Sequence, residues 1–253
     1  MNFSGKTAIA TGAASGMGLL FSKNFASLGG NVVMCDVNEE MLNKSVDEIN
    51  KEGKGRAIGV LCDVRDYNQV CLARDKATDT FGSIDILCNF AGGSSVRIKK
   101  VDREKYPEFP DVPMEIFDWG LDVNLKGPFY FAHAVLKQMR KQKSGLVINI
   151  GSIIGHEGNG YDIDYPTSKA GVMFGLTKSI AQFGEKYGIR CVCVSPGPVL
   201  TREAMANMKT MLGRAAEPQE IIDLILFIAS EKGQFINGEN FTIDGGRNAM
   251  GRY

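Results

Sequence analysis

Thr11-Gly12-Ala13-Ala14-Ser15-Gly16-Met17-Gly18 joins a short apolar run, Lys6 to Ala13, to a helix-like stretch, Gly16 to Leu28. A junction that is to hold a phosphate needs small residues. Glycine permits a sharp turn, and its missing side chain lets backbone N–H groups approach a pyrophosphate. The helix N-terminus then aims partial positive charge at the same spot. With 30 glycines in the chain, a generic strand–turn–helix junction is the plain alternative, so the surroundings must decide.

On either side of the turn, strand-like and helix-like segments alternate. Apolar runs rich in Val and Ile fall at Lys6 to Ala13, Asn31 to Val37, Arg56 to Val64, Ile84 to Ala91, Leu146 to Ser152, Ile189 to Ser195 and Asn240 to Asp244. Between them the pattern predicts helices over Gly16 to Leu28, Asn38 to Lys51, Asp66 to Phe81, Met114 to Lys141 with a bend at Gly127-Pro128, Tyr165 to Tyr187, and Pro218 to Ser230. Strands that are apolar nearly throughout suit a parallel sheet covered on both faces. The fold class is therefore α/β: a doubly wound Rossmann-type domain with a mostly parallel seven-stranded sheet and helices on both faces. No proline- or serine-rich linker, low-complexity tract or repeat divides the 253 residues, so one domain over 1–253 is expected.

Composition narrows the partners. Lys plus Arg (29) balance Asp plus Glu (29), which gives no electrostatic case for nucleic acid or an anionic membrane. No apolar run is long enough to span a bilayer. The six cysteines, Cys35, Cys62, Cys71, Cys88, Cys191 and Cys193, are scattered without a C-x-x-C pair. Met1-Asn2-Phe3-Ser4-Gly5-Lys6 does not read as a signal peptide, so free thiols in the cytoplasm are expected. The two histidines, His133 and His156, lie in different segments, and no metal site is expected.

Asp36 closes the second strand, about 20 residues after the turn. A carboxylate there accepts hydrogen bonds from adenosine ribose hydroxyls and repels the extra phosphate of NADP. The plain alternative is an ordinary strand-end turn carboxylate. Tyr165-Pro166-Thr167-Ser168-Lys169 puts a tyrosine and a lysine on one helix face, one turn apart. A free tyrosine, with a pKa of about 10, is a poor base near neutrality. A nearby ammonium stabilises the phenolate, so such a pair could take a proton from an alcohol or give one to a ketone. With seven tyrosines in the chain, the spacing alone decides little. Ser152 closes the fifth strand, where the C-terminal strand ends of a doubly wound sheet line the ligand crevice, and is placed to hydrogen-bond a reacting oxygen.

The turn spacing, T-G-x-x-x-G-x-G, departs from the G-x-G-x-x-G fingerprint and resembles the cofactor turn of the classical short-chain dehydrogenase/reductase family. Several further segments follow in that family's order from Lys6 to Gly246: Asp63-Val64, Asn89-Phe90-Ala91-Gly92, Asn124-Leu125-Lys126, Gly151-Ser152, Tyr165 to Lys169, Pro196-Gly197-Pro198-Val199-Leu200-Thr201 and Ile243-Asp244-Gly245-Gly246. The resemblance implies an oxidoreductase in which Asn124, Ser152, Tyr165 and Lys169 are catalytic. Asn124 would sit at a helix distortion and hold a water, and Lys169 would bind ribose and tune Tyr165. It implies cofactor contacts from Gly12, Ser15, Gly16, Met17, Gly18, Asp36, Val37, Asp63, Val64, Asn89, Ala91, Gly92, Pro196, Val199 and Thr201, with Tyr165 and Lys169. Relatives that prefer NADP often carry a basic residue at the places held here by Ser15 and Val37, so NAD is the expected cofactor. Phe90 stands where the family has a second asparagine, which puts one hydrogen bond in doubt. The resemblance also implies a homotetramer built through the two long helices.

The expected reaction moves a hydride between a secondary alcohol, or a polyol or sugar hydroxyl, and its ketone. A non-catalytic NAD-binding sensor or scaffold, and an epimerase acting through a transient ketone, are the alternatives. The segment from Gly93 to Trp119 is long for its place and holds Arg97, Lys99, Lys100, Arg103 and Lys105. It reads either as a loop, about 93–113, that helps bind a polar or anionic substrate, or as a solvated surface or subunit contact. His156, Asp162 and Asp164 fall in the stretch where the family places substrate contacts; a solvent-exposed loop is the other reading for His156. A lid is expected at about 198–214, where Met205, Met208 and Met211 face either substrate or core.

Overall fold

The computed structural model describes residues 1–250; the last three positions of the expected 1–253 domain lie outside the described residues. Its strands are β1 (Thr7–Thr11), β2 (Asn31–Asp36), β3 (Ala57–Leu61), β4 (Ile86–Asn89), β5 (Gly145–Ile150), β6 (Ile189–Pro196) and β7 (Asn240–Ile243). The helices are α1 (Gly16–Ser27), α2 (Glu39–Glu52), α3 (Tyr67–Phe81), α4 (Ser95–Ile98), α5 (Met114–Leu121), α6 (Gly127–Gln142), α7 (Ile154–Glu157), α8 (Asp164–Ala170), α9 (Thr177–Gly184) and α10 (Pro218–Ala229). One sheet runs in the order β3-β2-β1-β4-β5-β6-β7, and every neighbouring pair is parallel, so the sheet is wholly parallel where a mostly parallel one is expected.

Alternation along the strands builds two cores. Ala8, Ala10, Val32, Met34, Ile86, Cys88 and Ile148 face α1, α2 and α10, where Phe21, Phe25, Leu42 and Ile225 are buried. Ile9, Val33, Cys35, Leu87, Val147 and Cys191 face the opposite way, against Val70 of α3, Phe131 of α6 and Ile180 of α9. Burying each large apolar side chain contributes roughly 1.5–3 kcal/mol. Phe90, the departure from the family asparagine, sets its ring 5.4 Å from Phe21, exchanging a polar side chain for aromatic packing. Local signals bound the helices: Asp66 accepts from the amides of Asn68 and Gln69 to start α3, and Gly82 ends it in a left-handed conformation.

Both long helices are interrupted. The stretch expected as one helix from Met114 is α5, then a π-helical turn at Asp122–Lys126, then α6. The break falls at Asn124, where the family resemblance implies a distortion, and ends just before the Gly127-Pro128 at which the bend is expected; the Asn124 amide donates to the carbonyl of Gly120 (2.9 Å) and takes an acceptor from the regular ladder. The expected Tyr165–Tyr187 helix is likewise α8, a π-helical turn at Gly171–Leu176, and α9. There the Thr177 hydroxyl donates to the carbonyl of Val172 at 2.7 Å. Residues 93–113 are no bare loop: Val96, Val112 and Phe117 form a small core of their own, joined by Tyr106, Phe109 and Tyr161.

Candidate active site

The crevice opens where strand order reverses, beyond the C-terminal ends of β1 and β4. The turn after β1 is docked onto β2: the Ala13 amide donates to the Cys35 carbonyl (3.2 Å) and the Ala14 amide to Asp36 Oδ2 (3.0 Å). Asp36 Oδ1 accepts from the Asn38 amide at 3.0 Å. Each oxygen keeps a second lone pair for a ribose hydroxyl. A Cβ at Gly18 would lie 2.3 Å from the Gly12 carbonyl oxygen, so only glycine lets α1 begin this close to the turn. Gly16 has φ +55°, and a Cβ there would meet nothing within 4 Å; the backbone faces open space, as a pyrophosphate cradle must.

Beside the turn is a cavity of about 380 Å³ that gathers the expected Gly12, Asp36, Val37, Asp63, Val64, Ala91 and Gly92. Cys62, Arg65, Ile98, Trp119 and Val123 complete its wall. None of these five stood out in the sequence, although Trp119 is the only tryptophan, one helical turn before Asn124. Arg65 grips Asp63 through Nε (2.9 and 3.0 Å) and Nη2 (2.5 Å). That hydrogen-bonded guanidinium holds the Asp63 carboxyl below its usual pKa. Lys99 lies over the Trp119 ring at 4.6 Å.

On the other side of the crevice Asn124 is fully buried. Its Oδ1 accepts from the Gly93 amide (2.8 Å), and its Nδ2 donates to the carbonyls of Gly93 (2.9 Å) and Gly120 (2.9 Å). The Lys169 ammonium, on α8, donates to the carbonyl of Ile150 at the end of β5 (2.7 Å) and lies 5.7 Å from the centroid of the Tyr165 ring. A Cβ at Gly92 would come 2.5 Å from Asn124 Oδ1 and 3.4 Å from Lys169 Nζ, so these two side chains close on one bare backbone position. Ser152 faces the Tyr165 hydroxyl.

Burial governs titration here. It pushes the Tyr165 phenol up, against the pull of Ser152, Arg97 and Arg202, while Asp162 adds to the rise. Burial also brings Lys169 down from 10.5 to about 8. The sequence reading expects Lys169 to lower the phenol; without a ligand the cations that do so are Arg97 and Arg202, because Lys169 is turned toward Ile150. Asp164 is raised from 3.8 to about 7, first by burial and next by Asp162 beside it. Neither Asp164 oxygen completes a hydrogen bond.

Other expected residues lie apart from the cavity. Asn89 is buried beneath the crevice and donates from Nδ2 to Asn149 Oδ1 at 2.9 Å, a tie across the sheet. Pro196 accepts from the Ile153 amide (3.0 Å), and Val199 packs in the core, while Thr201 is exposed. Ser15 and Met17 belong to the turn without lining the cavity. His156, exposed as one of its two expected readings has it, sits on the short helix α7 and approaches Asn240 (3.5 Å) and Thr242 (3.4 Å) of β7 and the ring of Phe174. No cluster of three or more His, Cys, Asp or Glu that could hold a metal is found among the described residues.

Known proteins share this fold. The family described as short chain dehydrogenase matches residues 6–212. This chain belongs to the short-chain dehydrogenase family. Among curated family members it is 34% identical over 261 residues to the 3-oxoacyl-(acyl-carrier-protein) reductase FabG of Thermotoga maritima, covering 97% of this chain and 99% of that one. A short-chain type dehydrogenase/reductase from Mycobacterium marinum superimposes with a TM-score of 0.88 at 34% identity, over 98% of this chain and 97% of the other. The crystal structure of an NAD⁺-bound xylitol dehydrogenase gives 0.86 at 26% identity, over 97% and 100%. As a family member the chain is an oxidoreductase that binds a nicotinamide cofactor.

Proposed function

We propose that this protein is an NAD-dependent dehydrogenase/reductase that interconverts a secondary alcohol, such as a polyol or sugar hydroxyl, and its ketone. The observation that carries the reading is the convergence of Asn124 and Lys169 on Gly92, with the Tyr165 ring beside Lys169 and Ser152 facing the Tyr165 hydroxyl, next to a cavity bounded by Asp36. The bare turn at Gly12, Gly16 and Gly18 fits a dinucleotide, and the choice of NAD rests on Asp36, with Ser15 and Val37 adding no cation that would welcome an extra phosphate. The xylitol dehydrogenase neighbour, solved in its NAD⁺-bound form, supports the same choice. When bound, NAD supplies the hydride acceptor or donor.

The chain's own residues then divide the work. Ser152 donates a hydrogen bond to the substrate oxygen, and Tyr165 takes that oxygen's proton on oxidation or returns it on reduction. Lys169 holds the ribose hydroxyls and lends its charge to the phenolate. Asn124 is a positioning residue: its amide pins the backbone of Gly93, and the spare lone pair of Oδ1 can hold a water. Asp63 and Val64 would border the adenine, Asn89, Ala91 and Gly92 would form the crevice floor, and Pro196, Val199 and Thr201 would hold the carboxamide. Residues 93–113 and 198–214 close over the substrate within one domain.

Exposed Phe129, Phe174 and Phe183 on the interrupted helices are the apolar surface that a homotetramer would cover. Free thiols at all six cysteines favour a cytoplasmic protein. The deciding experiment is Tyr165→Phe, assayed with NAD against a panel of secondary alcohols at the NADH absorbance band. Turnover should fall about 10³-fold or more while NADH still binds by fluorescence titration. A variant that keeps most of its activity overturns the assignment.

A further inference from the structure

Two arginines from different segments act on the reacting tyrosine and on each other. Arg97, on α4 of the 93–113 segment, folds its guanidinium back over Gly93, so that a Cβ at Gly93 would come 2.9 Å from its Nη2. Gly93 is the residue that Asn124 pins. Arg97 thus stands one residue from the position that Asn124 and Lys169 share. Arg202, just after Thr201 in the 198–214 segment, lies within electrostatic range of both Arg97 and the Tyr165 hydroxyl. Among the described residues its guanidinium makes one hydrogen bond, a weak one to Met205 Sδ at 3.5 Å.

Neither guanidinium forms an ion pair among the described residues, while Arg65, Arg74, Arg214 and Arg247 each hold a carboxylate. The nearest carboxylate, Asp162, accepts from Ser95 Oγ (3.4 Å) and is turned to its neighbour Asp164. Two like charges held together without a counter-ion repel each other, and an anion placed between them removes that repulsion. Three of the four other loop cations lie on aromatic rings: Lys99 covers Trp119 on the cofactor side, Lys105 its neighbour Tyr106, and Arg103 the ring of Tyr161.

We propose that the substrate is a hydroxy acid or its keto acid, and that Arg97 and Arg202 grip its carboxylate beside the carbinol that Tyr165 and Ser152 hold. The planar guanidinium fork matches a carboxylate with two parallel hydrogen bonds. Because Arg97 lies against Gly93 and acts electrostatically on the Tyr165 hydroxyl, short hydroxy acids, with the carboxylate one or two carbons from the carbinol, are the substrates to test. The inference rests on the hydride-transfer reading above, and its test separates the two.

On NAD-loaded enzyme, ligand-observed NMR follows acetate, inorganic phosphate and acetamide. Acetate should broaden more than acetamide, with the excess cut at least about five-fold in the Arg97→Gln, Arg202→Gln double variant and kept in Lys100→Gln. Equal acetate broadening in wild type and double variant overturns the site, and phosphate bound about ten-fold more tightly than acetate replaces the carboxylate with a phosphate ester. Initial rates on lactate and 3-hydroxybutyrate are then compared with those on their methyl esters. Acids should exceed esters in kcat/KM by about ten-fold or more, with the ratio collapsing toward one in the double variant. Esters that match the acids overturn the proposal. Arginine-dependent acetate binding with no oxidation of acids or esters supports the anion site and counts against hydride transfer.

Discussion

At the β1–β3 side of the crevice, carboxylates are held by partners: both oxygens of Asp36 accept backbone amides, and Asp63 is clasped by Arg65. At the β4–β6 side, Tyr165, Lys169 and Asp164 are each driven by burial toward their neutral forms. The first side binds, and fixed charge with fixed geometry serves that purpose. In the proposed reaction the second exchanges a proton; burial brings Lys169 and Asp164 closer to neutral pH and moves the Tyr165 phenol further above it, so that phenol depends on nearby positive charge to ionise. One sheet therefore carries a rigid electrostatic rim next to a titrating one.

The largest blow to the binding side should come from Gly18→Ala. Its Cβ would strike the Gly12 carbonyl at 2.3 Å, so NADH affinity should fall about 100-fold or more and stability by about 3 kcal/mol, read by fluorescence titration and denaturant melts. An unchanged affinity would mean that the turn does not hold the cofactor. On the titrating side, Lys169 has a folded pKa of about 8, below its usual 10.5. Unfolding then takes up a proton between those values, and stability should rise with pH across that window, by about 3 kcal/mol in all. Lys169→Met should lack the rise; parallel stability curves for the two proteins would break the contrast.

Asp164 gives the opposite sign. Its folded pKa of about 7 lies above 3.8, so the folded state holds the proton longer and stability falls as pH climbs through that interval. Asp164→Asn should gain roughly 2 kcal/mol at pH 8 and little at pH 4, measured by urea unfolding. A variant equally affected at both pH values would show that the carboxyl is not strained by its charge. The smallest effect belongs to Arg65→Gln. The Arg65–Asp63 pair is partly exposed, so its loss should cost under about 1 kcal/mol and shrink further in high salt. A salt-independent loss would give the binding rim more buried character than the geometry does.

What the sequence made legible was local. The turn from Thr11 to Gly18, the Tyr165–Lys169 spacing and the apolar strands each announce themselves within a few residues, and all three hold their expected places on the sheet. The distortion at Asn124 was legible only through the family resemblance, while Gly127-Pro128 offered a local signal for a bend three residues on; the side-chain bond from Asn124 to Gly120 marks where the ladder opens. Arg97, Trp119 and Asp164 gain their significance from segments far apart in the chain. Arg97 was one of five basic residues in a row of similar appeal, and only the folding of α4 back over Gly93 separates it from Lys99. His156 was drawn toward β7 by contacts with Asn240 and Thr242, which no spacing could show.

The strand order has a bearing on how the molecule is born. β1 pairs on one flank with β2, which follows it closely, and on the other with β4, whose Ile86 must lie beside Ala8. While a ribosome is still adding α2, β3 and α3, the inner flank of β1 is an unsatisfied edge, and Thr11 waits for the Ala91 amide that its hydroxyl will accept at 3.0 Å. The glycine turn and Asp36 can thus come together on the nascent chain before Ala91, Gly92 and Trp119, which complete the same cavity, have been translated. A nicotinamide cofactor that binds the finished cavity would favour the folded chain over its partly built precursors.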